Sequence, residues 1–300
     1  MRWPGAHSPE MERVLSAGKT DRPVGLGGIK MTLGWKAVKA AVLRRVVTKY
    51  RHWAAEFGDH GYLEPIYQRL FLRELASHGL SDEYTPIQSA ANYSLLFILL
   101  QSVVRAQPAE ILELGCGETT LLLDALRRSG IWRGNLTSIE HDRFWHKEIS
   151  ARVETDIVLA PLTQQTIRGI EVPAYDLSAL KKPLGTFDLV LIDGPNGTPR
   201  WSRLACLQFI PDRLAREFLI ILDDYERPGE RETAVLIRDS LESKGLQISE
   251  DCIRSNKHQL MLATAAYRSC LYPTSRRAEP AEIRVAGLRR EQERLAAPVS

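Results

Sequence analysis

The chain has no cysteine pair at metal-ligand spacing. Cys116, Cys206, Cys252 and Cys270 are scattered over 300 residues without a C-x-x-C; this excludes a zinc ribbon, gives no disulfide framework and leaves four small hydrophobes. It also has no long apolar run. The longest, residues 95–104, is broken by Gln101 and Ser102 and falls short of the ~20 residues that cross a bilayer, so no transmembrane helix is expected. The opening residues, with Trp3, Pro4 and Gly5 among charged neighbours, hold no apolar core of a secretory signal, and a cytoplasmic location is the expectation. Charge of either sign is in slight excess only. Forty Lys and Arg stand against 37 Asp and Glu, a net +3, too little for an electrostatic nucleic-acid footprint, so no nucleic-acid partner is evident. No internal repeat is visible.

What is present suffices for a sizeable core, since 44% of the residues are hydrophobic. Residues 1–30 carry Pro4, Pro9, Pro23 and the Gly25, Gly27, Gly28 cluster without apolar periodicity and read as flexible. Over 33–57 a helical pattern sets Trp35, Val38, Val42, Val46 and Trp53 near one face, among Lys36, Lys39, Arg44, Arg45 and Lys49. Peripheral membrane contact is one reading of this segment, although Lys39 lies inside the apolar stripe and blunts the segregation an interfacial helix needs. Further helices are expected at 63–78 and 88–105, so that 31–107 reads as a helical extension or cap.

After Pro108 short apolar runs alternate with helical segments, the rhythm of a mostly parallel sheet with crossover helices. Strands are expected at 110–114, 137–139, 157–159, 189–192 and 218–222. Two more, around 246–253 and 259–265, are joined tightly and predict an antiparallel hairpin at the sheet's edge. The resulting domain spans 108–268, followed by a polar tail over 269–300 rich in Arg, Glu, Ala and Pro.

The sharpest local signal is Glu113-Leu114-Gly115-Cys116-Gly117-Glu118-Thr119-Thr120, between the first apolar strand and the helical run 121–128. Glycines at a strand-to-helix turn let a ligand approach the backbone, and the helix start offers unpaired N–H groups. An acidic residue followed by G-x-G at this turn resembles the first motif of class I S-adenosylmethionine (SAM) dependent methyltransferases. The resemblance implies a Rossmann-like, seven-stranded, mostly parallel α/β sheet with SAM as cofactor. It places Gly115, Cys116, Gly117, Thr119 and Thr120 around SAM, with Glu113 holding the amino-acid end directly or through water. A dinucleotide-binding fold is the rival, but its third glycine would fall at Thr120, where close helix packing tolerates little beyond Gly or Ala. No Gly-Lys-Ser/Thr follows, which disposes of a P-loop.

The second strand ends in Glu140-His141-Asp142, where a carboxylate can accept both ribose hydroxyls. Glu140 is the ribose candidate for either SAM or NAD. His141 and Asp142 read equally as adenine neighbours or as strand-end surface residues. Ala160-Pro161-Leu162 follows the third strand at a place where the family contacts adenine.

The fourth strand runs into Ile192-Asp193-Gly194-Pro195, which is similar to motif IV of bacterial small-molecule O-methyltransferases. Asp193 is therefore the candidate catalytic residue, orienting or activating the acceptor oxygen; its other reading is a cap on the Gly-Pro turn. The Asn/Asp-Pro-Pro-aromatic motif of base N-methyltransferases is missing. After the fifth strand come Asp223-Asp224-Tyr225. Catechol-type and caffeoyl-coenzyme-A-type enzymes hold a divalent cation with an Asp after strand four and an Asp-Asn pair after strand five. By that likeness Asp193, Asp223 and Asp224 are candidate ligands for a cation such as Mg²⁺. Arg200, Arg203 and Arg227 are candidates to bind an anionic acceptor or to form a solvated surface. The expected activity is SAM-dependent O-methylation of a small-molecule or glycan-like acceptor. The alternatives are an NAD-type oxidoreductase and a noncatalytic SAM-fold adaptor.

Overall fold

The computed structural model describes residues 60–86, 91–180, 184–196 and 200–271. The chain divides into two units, Met1–Glu56 and Phe57–Ser300. The expected flexible start, the helix over 33–57 with its membrane reading, and the tail beyond 271 lie outside the described residues.

The second unit is built on one seven-stranded sheet. Its strands are β1 (Glu110–Leu114), β2 (Asn135–Glu140), β3 (Ile157–Leu159), β6 (Phe187–Ile192), β7 (Leu214–Leu222), β8 (Ser249–Arg254) and β9 (His258–Ala263). They lie in the order β3-β2-β1-β6-β7-β9-β8. The first five are parallel; β9 runs antiparallel to both β7 and β8. The expected C-terminal hairpin thus inserts its second strand between β7 and β8, leaving β8 as the edge. This is the Rossmann-like α/β arrangement the sequence predicts, with one reversed strand. A separate antiparallel pair, β4 (Leu162–Ile167) and β5 (Ile170–Tyr175), was not expected.

Because a strand sends successive side chains to opposite faces, the central strands feed two cores. Ile111, Leu189, Leu191, Leu219 and Ile221 meet helices α1 (Glu64–Ser77), α2 (Tyr93–Ala106) and α3 (Glu118–Arg128) on one face. Leu112, Leu114, Val190, Ile192, Ile220 and Leu222 meet α5 (Pro228–Ser243) and the 204–210 turn on the other, while α4 (Arg143–Ser150) follows β2. With both faces covered, the parallel strands read as continuous apolar runs.

The segment expected as a helical cap is, in its described part, a layer of this core. Leu95, Leu96, Ile98, Leu99, Leu100 and Val103 of α2 are fully buried, each worth roughly 1.5–3 kcal/mol relative to exposure. Asn92 starts α2 by accepting a hydrogen bond from the Leu95 N–H, the work of an N-cap. A boundary at 107/108 would cut through packed hydrophobic side chains. Among the described residues no helix is long and apolar enough to cross a membrane.

Candidate functional site

In open α/β sheets the carboxyl ends of the strands face the ligand crevice, and the candidate residues gather there. Gly115 leaves β1 with φ +91°, and a Cβ on it would stand 3.0 Å from the Gly194 Cα and N. Reciprocally, a Cβ on Gly194 would lie 2.7 Å from the Gly115 Cα and N and 2.7 Å from the Tyr175 hydroxyl. The close neighbour that makes glycine necessary at 115 is therefore the chain's own backbone, where the ends of β1 and β6 meet. Gly117 differs: a Cβ there meets nothing within 4 Å, and its φ of 171° suits any residue. Of the two glycines, the second faces open space.

Glu113 shares strand parity with Ile111, which puts its side chain under α3. It is completely buried. Its Oε1 accepts from the Thr119 hydroxyl at 2.6 Å, and its Oε2 accepts from the Thr120 and Ser138 hydroxyls, each at 2.7 Å. Thr120 Oγ1 in turn accepts the Gly117 N–H at 2.9 Å. Glu113, Thr119 and Thr120, expected around SAM, thus form an internal brace for the turn. Burial pushes the Glu113 carboxyl up to about 7 against these hydroxyl bonds. Burial, followed by the Glu140 and Glu113 charges, also raises the Cys116 thiol.

Glu140, at the end of β2, ties the two loops together. Its Oε2 accepts the Cys116 N–H at 3.0 Å, while Oε1 accepts the His141 and Asp142 N–H groups, both at 2.6 Å. The His141 Nδ1 lies 2.8 Å from the same Oε1. Burial alone would raise the carboxyl, but the bonds from His141, Asp142 and Cys116 outweigh it and hold the pKa below the ordinary value. A carboxylate has about four acceptor positions, so Oε2 keeps capacity for a hydroxyl. Asp142 is the N-cap of α4, its Oδ1 accepting from the Phe144 and Trp145 N–H groups. Those two aromatic rings are exposed and meet edge to face at 5.6 Å. The Ala160 N–H bonds the Glu140 carbonyl at 2.8 Å, setting 160–162 beside the same loop.

Asp193, Asp223 and Asp224 converge at the ends of β6 and β7, each offering an oxygen within 4.8 Å of the others. Three cations are interleaved with them. Arg203, 4% exposed, sets its Nη2 3.1 Å from Asp193 Oδ1 and 2.7 Å from Asp224 Oδ2, and its Nη1 donates to the Pro195 carbonyl at 2.7 Å. Arg227 reaches the same Asp224 oxygen at 2.9 Å. Lys257, from the β8–β9 turn, lies 3.4 Å from Asp223 Oδ2 and 3.7 Å from Asp224 Oδ1. Asp193 Oδ1, Asp223 Oδ2 and Asp224 Oδ2 are thus already partnered by cations, while Asp224 Oδ1 is buried without a hydrogen bond among the described residues; with three positive charges held among its carboxylates, the set does not fit Mg²⁺. Burial and the Asp223 charge raise the Asp193 carboxyl well above its ordinary value, against the pull of Arg203 and Lys257. Asp223 moves the other way: burial would raise it, but Lys257, the Gln259 amide and Arg203 hold it down.

Of the three candidate anion-binding arginines, Arg203 and Arg227 serve this cluster. Arg200 forks onto Glu232 at 2.9 and 2.8 Å and lies over the Trp201 ring at 4.2 Å. Sequence reasoning missed Lys257, Gln259 and Tyr175. Gln259 donates to Asp223 Oδ1 at 2.8 Å and accepts from Ser94 at 2.8 Å. Asn92 donates to Glu64 and Ser255, so a buried polar network runs from α1 through the start of α2 to Asp223. The Tyr175 hydroxyl, at the end of β5, is buried without a hydrogen-bond partner among the described residues.

No family model matches this chain, and no curated protein matches it. Solved structures do. A methyltransferase from Pyrococcus furiosus is 18% identical over 65% of this chain and 96% of its own, with a TM-score of 0.39. The precorrin-6y C5,15-methyltransferase of Geobacter metallireducens is 14% identical over 62% and 96%, with a TM-score of 0.41. A Podospora anserina methyltransferase bound to S-adenosylhomocysteine (SAH) is 13% identical over 79% and 98%, with a TM-score of 0.35.

Proposed function

We propose that this chain is a SAM-dependent methyltransferase acting on an oxygen of a small-molecule or glycan-like acceptor. The observation that carries the reading is the bond from the Cys116 N–H to Glu140. It joins the G-x-G turn of β1 to the acid of β2 in one rigid rim, beside the open face of Gly117. Such a rim suits a ligand with an amino-acid end and a ribose. Gly117 admits the ligand close to the backbone, α3 presents its first N–H groups, and the spare capacity of Glu140 Oε2 accepts a ribose hydroxyl.

When bound, SAM supplies a methyl group on a cationic sulfonium, activated toward direct displacement. The chain's contribution is orientation and proton handling. Asp193 is the cluster's most exposed carboxylate, at 17%, and its raised pKa makes it a stronger base than an ordinary aspartate. It is placed to take the proton of an acceptor hydroxyl as the oxygen attacks. Arg203 holds that carboxylate at one oxygen, leaving the other for the acceptor. The oxidoreductase alternative loses support at Thr120, whose hydroxyl is committed to Glu113 and Gly117 where a dinucleotide fold needs a third glycine.

The test is calorimetry with SAM, SAH and NAD on the wild type and on Gly117→Arg. Micromolar-scale SAH binding, about 8 kcal/mol, is expected in the wild type and none in the variant. The open space and extended φ at this position allow the arginine to be built without unfolding the turn. Unchanged SAH binding in the folded variant, or binding of NAD alone, would remove the reading.

A further inference from the structure

We infer that Arg203 and Lys257 occupy the place of a divalent cation in this site, so that the carboxylate cluster works as a metal-independent unit with built-in positive charge. Three carboxylates from the ends of two neighbouring strands repel one another when left alone, and a shared cation is one resolution. Here the resolution is covalent to the chain. Asp193 and Asp224 are bridged by a single guanidinium nitrogen, Arg203 Nη2, at 3.1 and 2.7 Å. Asp223 and Asp224 both face the Lys257 ammonium, at 3.4 and 3.7 Å, and Arg227 adds a third positive charge against Asp224.

The three carboxylates therefore face three cations that the chain itself supplies. Mg²⁺ demands oxygen ligands at about 2.1 Å in near-octahedral array. To enter, it would have to displace Arg203 Nη2 from both carboxylates while remaining beside Lys257. Arg203 is also held from behind, since its Nη1 donates to the Pro195 carbonyl and its backbone N–H bonds Glu230. A planar fork fixed at both prongs is harder to expel than a flexible ammonium.

The same contacts make Arg203 a positioning residue. It links the Gly194-Pro195 loop after β6 to the Asp223-Asp224 corner after β7, and so sets where the free edge of Asp193 points. That positioning role rests on the proposed methyl transfer; exclusion of metal does not, and the two fail separately.

The experiment is Mn²⁺ titration of the full chain without nucleotide, followed by electron paramagnetic resonance and by thermal melts in Mn²⁺ and in EDTA. Wild type is expected to bind no Mn²⁺ in the submillimolar range and to melt identically in both media. Arg203→Ala opens the bridge and is expected to gain saturable Mn²⁺ binding, at least about tenfold tighter than wild type, lost again in Arg203→Ala/Asp224→Asn. Arg203→Lys keeps a cation in place and is expected to stay silent, a distinction that a merely structural arginine would not produce. Mn²⁺ binding by wild type that Asp223→Asn abolishes would overturn the inference. So would a cooperatively melting Arg203→Ala that gains nothing. If that variant does not fold, the wild-type titration decides alone.

Discussion

Replacing Glu113 by Gln tests whether the brace beneath the G-x-G turn is a proton-linked element. The side chain is completely buried, and its carboxyl, ordinarily near 4.5, is pushed up to about 7 by burial against three hydroxyl donors. At about 1.4 kcal/mol per pH unit, the gap corresponds to roughly 3 kcal/mol. The sign follows from linkage: the folded chain holds this proton to a higher pH than the unfolded chain does. The stabilisation is complete below the unfolded pKa, is lost as pH rises from there through about 7, and then levels off. Glu113→Gln is neutral throughout and so lacks this slope. Its amide NH₂ faces hydroxyls that now donate to an oxygen, so Thr120 or Ser138 must rotate, at a pH-independent cost of about 1 kcal/mol. Urea melts of both proteins across mildly acidic to mildly alkaline pH give the difference in stability, in which all other titrating groups cancel. Wild type should lead by about 1 kcal/mol at low pH and trail the variant by about 2 kcal/mol at the alkaline end, a change of about 3 kcal/mol. A difference that stays flat would refute a raised Glu113 pKa.

Glu140→Ala should weaken SAM or SAH binding by about 1.5–3 kcal/mol, the scale of a charge-assisted bond. Glu140→Gln should lose nearly as much, because its amide nitrogen would confront either the Cys116 N–H or the His141 and Asp142 N–H groups; calorimetry checks both, and wild-type affinity in the pair would move the ribose contact elsewhere. Tyr175→Phe removes a buried hydroxyl that lacks a partner among the described residues, so the ligand-free protein should be stabilised by about 1 kcal/mol. A chemical melt that shows destabilisation instead would mean the hydroxyl is satisfied. Gly194→Ala drives a methyl to 2.7 Å from the Gly115 backbone and should cost about 1–3 kcal/mol as overpacking, read from the shift of the urea midpoint; no shift would mean the two loops separate freely.

Much of the sheet was legible because buried parallel strands are short apolar runs closed by Gly, Pro or Asp. Residues 110–114 and 157–159 match β1 and β3 to the residue, and the hairpin at the end was anticipated from its two runs. The order of strands was not legible. That β9 slots between β7 and β8 depends on Leu260 and Leu262 pairing with Leu222 and Ile220, contacts between segments some forty residues apart. The β4–β5 pair was missed because its first strand is half exposed and polar, Leu162-Thr-Gln-Gln-Thr-Ile. Its turn, Arg168-Gly169, reaches positive φ at both residues through Arg, a residue that does not advertise that conformation.

At the site, local motifs located the right stretches but left open which way each side chain turns. Period-two alternation was available at Glu113, whose parity with buried Ile111 directs it under α3. An acid preceding G-x-G therefore need not face the crevice. The family likeness led past that parity to a cofactor contact. The convergence of Asp193, Asp223 and Asp224 followed from strand ends alone, whereas their neutralisation did not. Arg203 comes from an irregular turn and Lys257 from the link between β8 and β9, each brought in by the sheet order that sequence periodicity leaves undetermined. An acidic cluster seen in sequence is half of an electrostatic statement. Its counter-charge is either a solution ion or a residue supplied from elsewhere in the chain, and only the tertiary pairing distinguishes the two. Here the pairing places Arg203 Nη2 within 3.1 Å of two of the carboxylates at once, which ties the ends of β6 and β7 together through a salt bridge where the sequence alone offered a metal-ligand pattern.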